Sequence, residues 1–311
     1  MDNPLLEKNV LFLTMDSCRF DTMVKAQAPT IKSIGPLRMA KTPGTFTIPA
    51  HLAFFTGHLP NVFKDPLPYY SQQVKKLWFV RHSPPLFSGI NCGIPLFGRT
   101  IFDGYAREGF HVLGVGGVSP FHPDGVLRPH FPGEFLYYGL SSHQHPFQSA
   151  RKSQFALTHV NEIVDHLSPH DKWFLFLNAR ETHYMYDTGN GIPKKIRDYF
   201  PALKTAYNLR EHTGMEFPSW LGKRLHRLQI EALETLDARL KTLITHLPGE
   251  QDILMVICAD HGENLGETYL GKPRFGHEIA SPHVINVPLL IGTRNGMRPG
   301  GFKHGDWPST L

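Results

Sequence analysis

Cysteine is scarce in this chain: of 311 residues only Cys18, Cys92 and Cys258 are cysteine, far apart and odd in number. That argues against a disulfide framework and against a zinc-thiolate site. No run approaches the ~18 uninterrupted apolar residues of a membrane-spanning helix, so no membrane segment is expected. The N-terminal stretch MDNPLLEKNVLFLTMDS has no basic segment, and its apolar run is short for a signal sequence, which makes a cytoplasmic location the expectation. No block of Lys or Arg resembles a nucleic-acid arm, and the formal charge of +5 is modest. A nucleic-acid partner is therefore not expected. Internal repeats and low-complexity linkers are absent too, so one domain over 1–311 is the simplest organisation. Nothing in the sequence sets an oligomeric state.

What is present points to a buried core. Hydrophobic residues make up 41% of the chain, and the 28 Gly and 26 Pro imply many loops. NVLFLTM (9–15), FHVLGVGG (110–117), KWFLFLNA (172–179), DILMVICAD (252–260) and VPLLIG (287–292) read as buried strands. PAHLAFFTG reads as a helix with Pro49 in its first turn and Gly57 as its stop. Apolar residues at helical spacing run through Phe155, Val160, Ile163, Val164 and Leu167. A longer stripe, Leu225, Leu228, Ala232, Leu236, Leu240, Leu243 and Leu247, marks a helix over about 219–247. Residues 59–108 show no clear period and are expected to be mostly irregular, a wall or lid; 293–311 is expected to be a short tail. Helices alternating with continuously apolar strands define an α/β class: a mostly parallel central sheet with helices on both faces. Ligands of such sheets sit beyond the carboxyl ends of the strands, where Asp16, Asn178 and Asp260 fall.

Asp16 at a strand end is also an ordinary cap or turn former. ADHGE (259–263) says more. Asp260 and His261 adjoin where a buried strand meets a loop, Gly262 lets the chain turn sharply, and a carboxylate beside an imidazole suits a divalent metal. Asp16 would add a third ligand from a neighbouring strand. TPGTFTIPAHLAFFTG (42–57) sets hydroxyls before a greasy helix. Such a hydroxyl can simply cap the helix, or it can be a nucleophile whose pKa a metal lowers, with the helix N-terminus holding an anionic ester.

These pieces together resemble the alkaline phosphatase superfamily on its sulfatase-like branch. The resemblance rests on NVLFLTMDSCRFD, TIPAHLAFFTG, ADHGENLGE, FGHE and NVPLLIG in this order, from about Asn9 to Ile291. It implies a covalent ester-cleaving enzyme with a small anionic ester as substrate. Counting back from Thr56-Gly57, the nucleophile position falls on Thr47, with Thr45 the competing hydroxyl. The implied metal ligands are Asp16, Thr47, Asp260 and His261. The implied groups on the substrate or leaving group are His183, in NARETHYMYD, and His277, in RFGHE. Lys272 and Arg274 lie between the Asp-His pair and His277 and would clamp a second anionic group, or be solvated loop charges. Arg81, His82 and Arg99 have the same two readings, and SSHQHP (141–146) reads as a polar loop.

Departures from the family pattern refine the expectation. Sulfatases of this type oxidise a cysteine to formylglycine, whereas position 47 is Thr and position 51 is His. The family's Gly-Lys-Trp-His stretch corresponds roughly to VGGVSPF, with neither its Lys nor its His matched. Phosphate esters, mono- or diesters, are thus expected ahead of sulfate esters, by hydrolysis or by transfer onto an alcohol; a non-catalytic binding relative is the remaining class. The position four before His183, an Asp in two-metal members, is Ala179. One metal is expected, with Glu181, Asp187 and His283 as candidates for a second. Ser17 replaces a common second Asp, and an imidazole in the shell favours zinc or manganese over calcium. The chain is short for the superfamily, so the pocket is expected to be open, covered by the irregular region, or completed by something else.

Overall fold

Strand β1 (Asn9–Met15) is buried along its whole length. A strand covered on both faces need not alternate, which is why it reads as an apolar run. In the computed structural model, which describes residues 7–57, 78–79, 94–95, 99–125, 127–139, 155–203, 218–249, 252–277 and 279–294, helices α1 (Phe20–Lys25) and α2 (Pro29–Ile34) follow. Edge strand β2 (Arg38–Lys41) leads to α3 (Thr47–Thr56). Beyond it come the short parallel pair β3 (Trp78–Phe79) and β4 (Ile94–Pro95), then α4 (Ile101–Arg107), β5 (His111–Gly116) and β6 (Glu134–Tyr137). Helix α5 (Val160–Leu167), β7 (Trp173–Ala179), α6 (Ser219–His246) and β8 (Ile253–Ala259) continue the chain. The hairpin β9 (Asn264–Tyr269) and β10 (Lys272–Gly276) and the strand β11 (Asn286–Thr293) close it.

Seven strands form one sheet in the order β2-β11-β8-β1-β7-β5-β6. The run from β8 to β6 is parallel, and β11 is antiparallel to both β8 and β2. The expected mostly parallel sheet with helices on both faces is the observed fold. Successive strand residues point to opposite faces. Leu11, Leu13 and Met15 therefore pack with Leu233, Leu236, Leu240 and Leu243 of α6, while Val10 and Phe12 pack with Leu52 and Phe55 of α3 and Phe102 of α4. Thr14 continues the second face, so its hydroxyl meets α3.

Helix α6 matches its expected span, but two polar residues interrupt its buried face. Asp237 accepts from the backbone N–H groups of Ile31 at 2.7 Å and Thr30 at 3.2 Å. It thus caps α2, whose own N-cap Ala28 has no side chain able to do so. Gln229 is treated below. The region 59–108 is not wholly irregular: residues 101–107 form α4, started by a reciprocal capping box between Thr100 and Asp103. Seven residues are too few to display a helical period, and the capping pair was the readable signal. Most of 59–98, and the tail from 295, lies outside the described residues. The stretch before β7 is helical only from Val160; residues 156–158 form a single tighter turn. Among the described residues no helix is long and apolar enough to cross a membrane.

Candidate active site at the carboxyl ends of the central strands

Strand register builds the centre of the site. Met15 pairs with Ala259 on one side and Ala179 on the other. Asp16 and Asp260, one residue further along strands that lie about 4.8 Å apart, therefore emerge side by side. Ser17 holds φ at 62°, a left-handed conformation that few non-glycine residues adopt. This turn lets the Ser17 N–H donate to Asp260 Oδ1 at 3.1 Å, while the Ser17 hydroxyl donates to Asp16 Oδ1 at 3.1 Å. The His261 N–H donates to the same Asp260 Oδ1 at 2.8 Å. Glycine is required at 262, because a Cβ there would sit 2.0 Å from the His283 carbonyl oxygen.

Each polar group here has one side satisfied and the other left open. His261 Nδ1 lies 2.9 Å from the Gly262 carbonyl. A carbonyl only accepts, so Nδ1 carries the proton and Nε2 presents a lone pair. That Nε2 lies 3.5 Å from Asp260 Oδ2 and 3.8 Å from Asp16 Oδ1. Asp16 Oδ2, Asp260 Oδ2 and His261 Nε2 are all buried without a hydrogen-bond partner among the described residues. Ligand atoms of the three residues lie within 4.8 Å of one another. Buried lone pairs facing each other repel, and burial together with the Asp16 carboxylate pushes Asp260 well above the ordinary carboxylate range. Two carboxylate oxygens and one imidazole nitrogen with its far nitrogen anchored on a carbonyl form a donor set that fits a divalent cation.

Helix α3 brings its first turn to this point. Thr47 opens the helix and is half-buried; Thr45, in the loop before it, is fully buried with Oγ1 unpartnered. His51 fixes the turn to the centre. Its Nδ1 donates to the Thr47 carbonyl at 2.8 Å, and its Nε2 accepts from the Thr14 hydroxyl at 2.9 Å, which in turn accepts from Asn178 Nδ2 at 3.2 Å. The same ring reaches Asp260 Oδ2 at 3.7 Å. Burial lowers the His51 pKa to about 4, so the imidazole rests neutral in this chain of bonds.

Two more imidazoles complete a cluster. The rings of His277 and His261 are 4.2 Å apart, and those of His277 and His183 are 6.0 Å apart. His183 Nδ1 donates to the Tyr184 carbonyl at 3.1 Å, and His277 Nδ1 bonds Glu263 Oε1 at 3.1 Å. Burial depresses both pKa values, that of His277 strongly. The structure thus brings together Asp16, Asp260, His261, His183 and His277, with Thr47 tied to them through His51. It does not bring Lys272 to them. Lys272 is exposed at the hairpin end of β10, and four residues at ~3.3 Å each separate it from Gly276 at the other end. Arg274 donates to the Tyr269 carbonyl. The candidates for a second metal have protein partners: Asp187 pairs with Arg239, Glu181 lies 3.6 Å from the same guanidinium, and His283 bonds Arg19. Arg81, His82 and 141–146 lie outside the described residues, and Arg99 is exposed.

Three contributors go beyond the sequence expectation. Glu263 holds His277; its place in ADHGE was visible, its partner 14 residues away was not. His51 stood out as a departure but carried no assigned role. Gln229 donates to the carbonyls of Ser17 at 2.8 Å and Thr182 at 3.1 Å, and accepts from the Thr22 hydroxyl at 2.6 Å, bracing the turns that deliver Asp16 and His183. Its signal was an amide within a leucine stripe.

The fold and this strand-end cluster define a protein of the alkaline phosphatase superfamily. The sulfatase family model matches residues 122–304, more than half of the chain. The chain belongs to the sulfatase family. Among solved structures it is similar to the zinc complex of the C-terminal periplasmic domain of EptC from Escherichia coli, with 14% identity and a TM-score of 0.55, covering 92% of this chain and 73% of that one. It is similar to a 2-O GAG sulfatase at 14% identity and TM-score 0.56, spanning 92% of this chain and 64% of that one. The soluble domain of lipooligosaccharide phosphoethanolamine transferase A from Neisseria meningitidis follows at 15% and 0.53, with 92% and 76% covered. No curated protein matches the sequence.

Proposed function

We propose that this protein is a metal-dependent enzyme that cleaves phosphate esters through a phospho-threonine at Thr47. The observation that carries this is the convergence of three buried, unpartnered atoms, Asp16 Oδ2, Asp260 Oδ2 and His261 Nε2, at the ends of adjacent strands. A divalent cation held by these residues, zinc or manganese by its donor set, would lower the pKa of a hydroxyl and offset the charge of an anionic ester. Thr47 is favoured over Thr45 because it is half-buried, and so open to substrate, whereas Thr45 is sealed in. Its Oγ attacks phosphorus in line, the bond to the leaving alcohol breaks, and the phosphoryl group passes to Thr47. The Thr47 proton goes to an imidazole Nε2 and on to the leaving oxygen. His183 and His277 suit that transfer, because burial keeps both neutral with Nδ1 anchored. Water then attacks the phosphorus, the bond to Thr47 Oγ breaks, and the water proton returns to Oγ through the imidazole, releasing phosphate from a monoester substrate or a phosphate monoester from a diester.

Phosphate is preferred to sulfate because the formylglycine route starts from cysteine. Position 47 is Thr, and the described cysteines Cys18 and Cys258 are buried, with thiol pKa values raised by that burial. The likeness to two phosphoethanolamine transferase domains supports a second reading, in which an alcohol replaces water in the last step. The test is turnover of aryl phosphate monoesters, aryl phosphate diesters and aryl sulfates, with zinc or manganese, with and without an added alcohol, alongside metal analysis of the purified protein. Phosphate-ester turnover lost on chelation is expected, and an alcohol-linked product would select transfer. Turnover of sulfate esters alone would overturn the proposal.

A further inference from the structure

A cleft open to solvent adjoins the imidazole cluster, with about 370 Å³ of empty space when the open solvent at its mouth is included. The chain segments that deliver the imidazoles also wall the cleft. Tyr184 follows His183, Glu263 lies just past His261, and Gly276 precedes His277. Leu225 of α6, Leu265 of β9 and Phe275 of β10 supply apolar walls. Tyr184 and Tyr186 both face it, with Met185 between them at φ 67°. Two lining residues each carry a buried polar atom without a partner among the described residues: Glu263 Oε2 and Tyr186 Oη, each on a residue no more than 3% exposed. The other carboxylate oxygen of Glu263 is taken by His277 Nδ1.

We infer that this cleft is the subsite for the alcohol portion of the ester, and that it takes a compact apolar body. The inference rests on the ester-cleaving reading of the neighbouring site. The apolar walls stabilise each added methylene, and the leaving oxygen stays beside His277. Long polyanionic alcohols are disfavoured, because among the described residues the lining offers them no cation.

The test is kcat/KM of the metal-loaded protein on methyl, ethyl, propyl and butyl phosphate. An increase of about fourfold per methylene is expected, the equivalent of ~0.8 kcal/mol. Leu225→Trp fills the cleft and should flatten the series. If that variant does not fold, Phe275→Ala, at a half-buried wall, should move the optimum to a longer chain. A flat series in the wild type, with turnover intact, would overturn the subsite and leave the proposed reaction standing. If no ester is turned over, the proposed reaction fails, and saturation-transfer NMR with phenol tests the cleft alone. Transfer to the wild type that is lost in Leu225→Trp supports an apolar site there; transfer absent, or equal in both, overturns it.

Discussion

Asp260→Asn should change the stability of this protein in opposite directions with and without metal. Asp260 and Asp16 are both fully buried, with ligand atoms within 4.8 Å. At an effective dielectric constant of ~20, two charges at that distance repel by about 3–4 kcal/mol. Asparagine removes the repulsion and retains an oxygen for the Ser17 and His261 N–H groups, losing about 1 kcal/mol at each bond as the acceptor becomes neutral. The metal-free variant should therefore be more stable than the metal-free wild type by ~1–2 kcal/mol, or about 2–4 °C in Tm for a chain of this size. Burial and Asp16 favour proton uptake by Asp260, which relieves part of this repulsion, so the difference between the metal-free proteins should widen as pH is raised. Metal at 1,000 times Kd should stabilise the wild type by ~4 kcal/mol and the variant far less, so the order inverts. The assay is thermal unfolding with chelator and with zinc or manganese. A variant less stable in both conditions, with metal raising both proteins equally, would refute the metal site and make Asp260 an ordinary structural carboxylate.

Further predictions follow from other parts of the structure. Gln229→Leu strips two carbonyls of their donor and should cost about 1–3 kcal/mol in urea unfolding, while weakening metal affinity some 10–100-fold in chelator competition as a supporting contact does. Leu236→Ala, in the core under α6, should cost ~2–5 kcal/mol but leave metal affinity unchanged. His51 rests neutral with its pKa depressed to about 4 from 6.5. The unfolded chain therefore takes up a proton below pH 6.5 that the folded chain refuses until about pH 4, and stability falls across that window as pH drops. The slope contribution, at most ~1.4 kcal/mol per pH unit, should disappear in His51→Asn when unfolding of the metal-free proteins is followed against pH.

Much of the fold was legible because its strands are buried on both faces. NVLFLTM, KWFLFLNA and DILMVICAD could be read as strands for the same reason that they occupy the sheet centre. Their last residues then marked Asp16 and Asp260 as neighbours, since parallel register carries residues at equal distances from paired positions to the same level. The α6 stripe was readable because 28 residues repeat the helical period many times. Short elements were not: α1, α2 and α4 hold at most seven residues each, and β2 is a mostly exposed edge strand. Within the site, residues at strand ends were visible and their braces were not. Glu263 finds His277, and Gln229 finds Ser17 and Thr182, only after the chain has folded back, and no local period encodes such a meeting.

The central claim, that Thr47 carries the transferred group, is tested most directly by trapping it. Metal-loaded protein mixed with an aryl phosphate ester, quenched in acid during turnover and digested, should yield one phosphoryl group on the peptide spanning 42–57, at Thr47. The adduct should be absent from Thr47→Ala, which should still fold and bind metal. A phosphoryl group on Thr45, or full turnover by Thr47→Ala, would contradict the account.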